Sequence, residues 1–226
     1  MKNITNKINH FSLTLGGALL ALVLFPQSGL ATSLTVKSGT GEELYLKVDG
    51  SVTSAWAGSI QVNVGGALQT VMCVDYFDSL SNNVAYTTTI GAPSQVNNGG
   101  RVAWLLDYEL PTLSSAAQLA GLQLAIWDIV TDNGDGFAAG RIRSASNPAT
   151  DSVALTEANT MLSLSSGKSS TYANVYFNVD PKSCTTIQTL MGGTVPPSTA
   201  TPEPQSFAMI GAGAIALSMI KLRRRK

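Results

Sequence analysis

Short segments with apolar residues at every second position occur in two parts of the chain. Residues 59–64 are the clearest case, because Ile60, Val62 and Val64 fall on one face. This period of two is typical of antiparallel strands with one buried face. The pattern predicts strands at residues 44–48, 60–64, 68–77 and 172–179, with glycine-rich breaks between the first three.

The stretch between these strands has helical spacing instead. Val102, Leu105 and Leu106 predict a helix that stops before Pro111, since the residue before a proline disfavours helical backbone. A second helix is predicted to begin at Ser114 and to end at Gly134 and Gly136, and a third, weaker one to cover residues 152–164. The apolar stripe of the second helix consists of Leu119, Leu122, Ile126, Ile129 and Val130.

Strands, then helices, then a strand predict an α+β fold. We expect an antiparallel β-sheet, barrel-like in shape, with a few helices packed on one side. This domain is predicted to occupy residues 32–193, which is about the size of one domain.

The first 31 residues have the layout of a secretory signal. Lys2 and Lys7 precede an apolar stretch at residues 11–25, and Gly29-Leu30-Ala31 supplies the small residues of a cleavage site. The stretch is short for a membrane span. We therefore expect cleavage after Ala31 and export of the rest.

The other end of the chain has three parts in a fixed order. Residues 194–204 are rich in Pro, Thr and Ser and predict an extended linker. Within residues 205–226 an apolar stretch rich in Gly and Ala precedes a basic cluster, which stays on the cytoplasmic side of a membrane and places the body of the protein on the other side. The apolar stretch is shorter than a stable lone anchor, so a transient membrane attachment is expected.

This end resembles the PEP-CTERM sorting signal of Gram-negative bacteria. The residues that carry the resemblance are Pro202, Glu203, Pro204, Arg223, Arg224 and Arg225, with the apolar helix between the two groups. The resemblance covers residues 201–226. It implies processing by an exosortase, transient anchoring in the inner membrane by the C-terminal helix, and delivery to the cell surface or the exopolysaccharide matrix.

Charge and histidine content exclude several classes of function. The chain has 14 basic and 14 acidic residues, but seven of the basic ones lie within residues 1–31 and 205–226, where no acid occurs. The remainder is acidic, which excludes a nucleic-acid-binding protein. The one histidine, His10, lies in the signal, so the mature chain has no Ser–His or Cys–His pair and no imidazole for a metal. With no carboxylate pair recognisable either, we expect neither an enzyme nor a cofactor.

Two polar residues lie within apolar sequence. Cys73 belongs to a strand that is apolar on both faces, and Gln123 lies on or beside the apolar stripe of the second helix, whereas Gln118 falls on a more polar face. A buried amide needs a hydrogen-bond partner or a covalent one. If the thiol attacks the amide carbon and ammonia leaves, the product is an internal thioester. Apolar walls protect such a group from water until an amine reaches it.

The surrounding motifs resemble those of the thioester domains of bacterial surface adhesins. Those domains pair a cysteine in an aromatic-Cys-hydrophobic-Asp strand with the glutamine of a Thr-Gln-x-Ala-Ile-Trp helix. Here Cys73-Val74-Asp75 and Gln123-Leu124-Ala125-Ile126-Trp127 match, while Met72 and Leu122 replace the aromatic residue and the threonine. The resemblance implies a Cys73–Gln123 bond and an amine-bearing surface protein or matrix component as the partner. Its supporting motif consists of Asp75, Ala125, Ile126 and Trp127.

Cysteine counting leaves an alternative open. Exported chains live in oxidising compartments, and the two cysteines favour a Cys73–Cys184 disulfide. The protein would then be a non-covalent structural component of the exopolysaccharide or biofilm matrix. Two unpaired thiols are a third possibility.

A second cluster of polar residues suggests a cation. Asp128, Asp132 and Asp135 surround Gly134 and Gly136, and hard oxygen ligands gather in such loops around calcium. The order of an EF-hand is not satisfied, since a glycine occupies a ligand position and no glutamate closes the loop. Turn chemistry at a helix end explains the same residues equally well, so we expect no metal here and keep a calcium site as the alternative.

Overall fold

The computed structural model describes residues 31–180, 182 and 186–192. The signal up to residue 30, Cys184, the linker and the sorting tail lie outside these residues. Among the residues that are described, no helix is both long enough and apolar enough to cross a membrane.

The protein has an α+β fold in which every pairing between the described strands is antiparallel. β1 pairs with both β2 and β4, so the order β1-β2-β3-β7-β6-β4 returns to β1 and forms a closed ring. β5 pairs with the end of β1. The strands are β1 (Thr32–Val48), β2 (Ser51–Val64), β3 (Ala67–Cys73), β4 (Ala85–Gly91), β5 (Ile142–Ser144), β6 (Asn174–Val179) and β7 (Thr186–Gly192).

Tight turns and glycines explain the long β1–β2 hairpin. Asp49 and Gly50 have φ values of 48° and 90°, as a two-residue hairpin turn with both central residues left-handed requires. Further along the hairpin, Gly41 pairs with Gly58. A Cβ on Gly41 would lie 2.0 Å from a main-chain oxygen of the opposite strand, and a Cβ on Gly58 would lie 2.3 Å from one. This close approach is open only to glycine, and it permits the bend a closing sheet needs.

Three helices follow β4 in the sequence: α1 (Gly99–Tyr108), α2 (Ala116–Asp132) and α3 (Ser152–Leu164). Every residue of α2 from Leu119 to Ile129 is buried. α2 contacts β1, β2 and β3 as well as α3 and α1. A helix that is apolar all round belongs in the interior, and this one runs through the core with strands on one side and α3 on another.

All the predicted elements are present, and most of them have shifted bounds. α3 has the predicted bounds, and α2 begins two residues later than predicted because Ser115 caps it. β3 ends at Cys73 and not at residue 77, because the side chain of Asp75 accepts the N–H of Phe77 and turns the chain. β1 begins twelve residues earlier than predicted, and the sequence pattern missed β4, β5 and β7 altogether.

Candidate functional site

Gln123 is placed by the capped start of α2. The hydroxyl of Ser115 accepts the N–H of Gln118 at 3.1 Å, and the Gln118 side chain accepts the N–H of Ser115 at 3.2 Å. This reciprocal capping box fixes where the helix begins. It leaves Gln118 partly exposed and sets Gln123 five residues further along, in the buried segment, with 1% of its surface exposed.

Cys73 lies at the end of β3, where its neighbour β2 stops pairing. The last pairing between these strands joins Val71 to Ile60. Two residues further along β3, at Cys73, the side chain of Gln123 replaces β2 as the hydrogen-bond partner of the main chain. The main-chain N–H of Cys73 donates to Oε1 of Gln123 at 2.9 Å, and Nε2 of Gln123 donates to the main-chain oxygen of Cys73 at 2.7 Å. Both ends of the amide are thereby bonded to one residue, and the amide carbon is held beside it.

The thiol itself is free and buried, with 3% of the residue exposed. Sγ donates to the main-chain oxygen of Asp75 at 2.7 Å. Burial raises the pKa of Cys73 to about 12, against weaker opposing contributions from the Trp127 indole, the Asp75 main chain and the Gln188 side chain. The neutral thiol is therefore the form present at neutral pH.

The supporting motif divides between packing and polar contacts. Ala125 and Ile126 are buried in the core. The ring of Trp127 meets Tyr76 edge to face, with centroids 5.0 Å apart. The indole N–H of Trp127 approaches the sulfur but is buried with no acceptor at ordinary hydrogen-bond geometry. The main-chain oxygen of Asp75 accepts the hydrogen bond from the thiol, and the side chain of Asp75 forms the turn that ends β3.

Cys73 and Gln123 form part of the wall of a cavity of about 620 Å³. Trp127, Tyr76, Trp56 and Gln188 line it as well. Asp78 is the single charged residue in the described lining, which includes no lysine or arginine. Small molecules and side chains thus have room beside the buried pair, and the local charge is negative.

Gln188 and Asp78 are polar residues of this cavity that sequence reasoning missed. Gln188 belongs to β7, and its Nε2 donates to the main-chain oxygen of Asp78 at 2.9 Å. Alternation of Ile187, Thr189 and Met191 is a signal that would have indicated this strand. Asp78 follows the turn after β3 and carries no pattern of its own.

The second predicted cluster also comes together. One carboxylate oxygen from each of Asp128, Asp132 and Asp135 lies within 4.8 Å of the other two. Asp128 is fully buried, Asp132 is half-buried and Asp135 is exposed. This cluster follows Trp127 directly along α2.

The sorting residues and Cys184 lie outside the described residues. No protein-family model, curated protein or solved structure matches this chain. We therefore infer its function from the geometry of the site and from the motifs in the sequence.

Proposed function

We propose that this is an exported, adhesin-like surface protein that attaches covalently to an amine-bearing partner through a Cys73–Gln123 thioester. The observation that carries the proposal is the double hydrogen bond between the Gln123 amide and the main chain of Cys73. These bonds satisfy the main chain of Cys73 where β2 no longer pairs with it, and they hold the amide next to the residue that carries the thiol, as bond formation demands. The motifs around both residues and the sorting tail favour the same function.

Formation of the thioester is balanced without any further reagent. Sγ of Cys73 attacks Cδ of Gln123, the thiol proton passes to the amide nitrogen, and ammonia leaves. The main-chain N–H of Cys73 donates to Oε1, the oxygen on which negative charge develops during the attack. A fixed donor at that position stabilises the tetrahedral intermediate.

In the reaction with a partner, the sulfur of Cys73 is the leaving group. An amine attacks the same carbon, the former glutamine carbonyl becomes part of a new amide, and the proton of the amine goes to the sulfur. The Asp78 carboxylate in the cavity attracts a lysine-like ammonium group, which must lose its proton before it attacks. The released Cys73 is again a neutral thiol, because burial raises its pKa to about 12. The protein acts once and is a reagent, not an enzyme.

The test is the intact mass of protein purified without reductant, before and after methylamine. We expect a species lighter by one ammonia that gains one methylamine, absent from Cys73→Ala and Gln123→Glu. Gln118→Glu is the matched control on the same helix and is expected to behave like the unchanged chain. Methylamine uptake by Cys73→Ala would disprove the proposal. A loss of two hydrogens that disappears in Cys184→Ser would instead establish the disulfide and the non-covalent matrix protein.

A further inference from the structure

The three aspartates at the end of α2 are brought together by the way this helix stops. Asp128 and Asp132 are four residues apart and so lie on one face of the helix. Asn133 then has a φ of 64°, a left-handed cap that turns the chain back. The turn places Asp135 beside the other two, with one oxygen of each residue within 4.8 Å of the others.

Protein donors account for only some of the carboxylate oxygens. Oδ2 of Asp132 accepts the N–H groups of Arg141 and Ile142, at 2.9 Å and 2.8 Å. Oδ2 of Asp128 accepts the N–H of Gly136 at 3.1 Å. Oδ1 of Asp128 is buried and has no hydrogen-bond partner. A buried carboxylate oxygen without a donor is costly, which indicates a ligand.

No described side chain forms an ion pair with these three carboxylates. Within the described part of the chain the one ion pair joins Arg141 to Asp49, and the charge of Asp132 also acts on Arg141. Arg101, whose charge acts on Asp128, donates hydrogen bonds to Ser165 and to two main-chain oxygens. Burial, reinforced by the charges of Asp135 and Asp132, raises the pKa of Asp128 to about 6.

The loop before β5 leaves room at the cluster. Gly140 has a φ of 81°, and a Cβ built on it would lie 2.8 Å from Oδ2 of Asp132 and 3.1 Å from Oδ1 of Asp135. Any side chain at position 140 would therefore clash with the carboxylates, so only glycine allows the backbone to come this close to them. Glycine keeps the space in front of these oxygens open.

The geometry points to a calcium site in which Asp128, Asp132 and Asp135 supply the protein carboxylates. Calcium binds oxygen at about 2.3–2.6 Å, so oxygens that share one ion lie at most roughly 4.6–5.2 Å apart, and three carboxylate oxygens within 4.8 Å of one another are close enough to share it. Magnesium, at about 2.0–2.1 Å, requires a tighter and near-octahedral set. Water and main-chain oxygens complete the coordination. The ion joins the end of α2, the helix of Gln123 and Trp127, to the loop before β5.

Calorimetry and thermal unfolding of the chelator-treated full-length protein test this inference, with CaCl₂ as the probe. We expect saturable binding of one Ca²⁺ per chain and a melting temperature that rises with its concentration. Asp135→Asn alters an exposed residue, so it is expected to leave the fold intact and to weaken binding at least about tenfold. Asp128→Asn is expected to melt higher than the unchanged chain without calcium, because it removes a buried charge, and to lose the response to calcium. Glu43→Gln, an exposed acid on β1, is the matched control and should bind normally.

Four outcomes would overturn the inference. Absence of both heat and a melting shift in the unchanged chain would show that there is no site. Equal affinity of the unchanged chain and Asp135→Asn, or equal weakening in Glu43→Gln, would place the ion elsewhere or reduce it to a general charge effect. Binding of Mg²⁺ as tight as that of Ca²⁺ would refute the choice of calcium. None of these outcomes depends on the thioester, which the methylamine experiment tests separately.

Discussion

Replacing Gln123 by glutamate tests the buried amide pair most directly. Glutamate has the same shape, but its ionised form cannot donate, so the main-chain oxygen of Cys73 loses its donor. The change also places a charge in a cavity whose described lining contains Asp78 and no cation. We would make it in a Cys73→Ala background, which removes the covalent chemistry but keeps the N–H and carbonyl of residue 73.

The magnitude follows from proton linkage. Burial and the charge of Asp78 raise the pKa of the new carboxyl above its ordinary value of about 4.3. Such a group takes up a proton on folding, so its contribution to stability is fully present below the unfolded pKa and is lost as the pH rises. Keeping the carboxyl protonated costs about 1.4 kcal/mol for each pH unit above 4.3, or about 4 kcal/mol at pH 7. At pH 4 the protonated glutamate donates to the Cys73 carbonyl, and the penalty falls below about 1 kcal/mol.

The assay is urea unfolding between pH 4 and pH 7, followed by the fluorescence of tryptophans that include the buried Trp127. Gln118→Glu in the same background is the control, because glutamate serves the capping box as well as glutamine does. It is expected to change the free energy of unfolding by less than about 0.5 kcal/mol at every pH. A penalty for Gln123→Glu that does not vary with pH, or one equal to that of the control at pH 7, would refute the placement of Gln123 against Cys73.

Two further predictions concern the thiol and the contact between helices. Because burial raises the pKa of Cys73 to about 12, iodoacetamide at pH 8 should label native Gln123→Met protein, which retains the thiol and adds no charge, far more slowly than the same protein in urea. Equal labelling rates by mass spectrometry would contradict the buried thiol. Gly121→Ala should lower the free energy of unfolding by about 1–3 kcal/mol, because the added Cβ would lie 2.5 Å from Cβ of Glu157 and 2.8 Å from the Ala154 oxygen, forcing α2 and α3 apart. An unchanged urea midpoint would show that the two helices are not packed so closely.

Local sequence signals were sufficient for the helices. α3 has the predicted bounds. α2 begins two residues later than predicted and ends at Asp132, shortly before the predicted stop at Gly134 and Gly136. Both agree this well because periodicity, caps and glycine stops act within a few residues of one another. The strands were predicted less completely. β7 pairs with β3, which is distant in sequence, as well as with the preceding strand β6. β4 pairs with β1 and β6, so both strands depend on distant partners that a local pattern does not identify.

The candidate site likewise combines residues that the sequence selected with contacts that only the tertiary structure shows. Sequence alone selected Cys73 and Gln123, through their apolar surroundings and the motifs around them, and it selected the three aspartates through their spacing. Only the tertiary structure decided that the Gln123 amide bonds both main-chain groups of Cys73, fifty residues away. It also decided that Gln188 and Asp78 share their cavity and that one oxygen of Asp128 is buried without a partner. The physical reason is that burial and hydrogen bonding of a polar group depend on which distant elements pack against it, whereas periodicity reports only the face on which it lies.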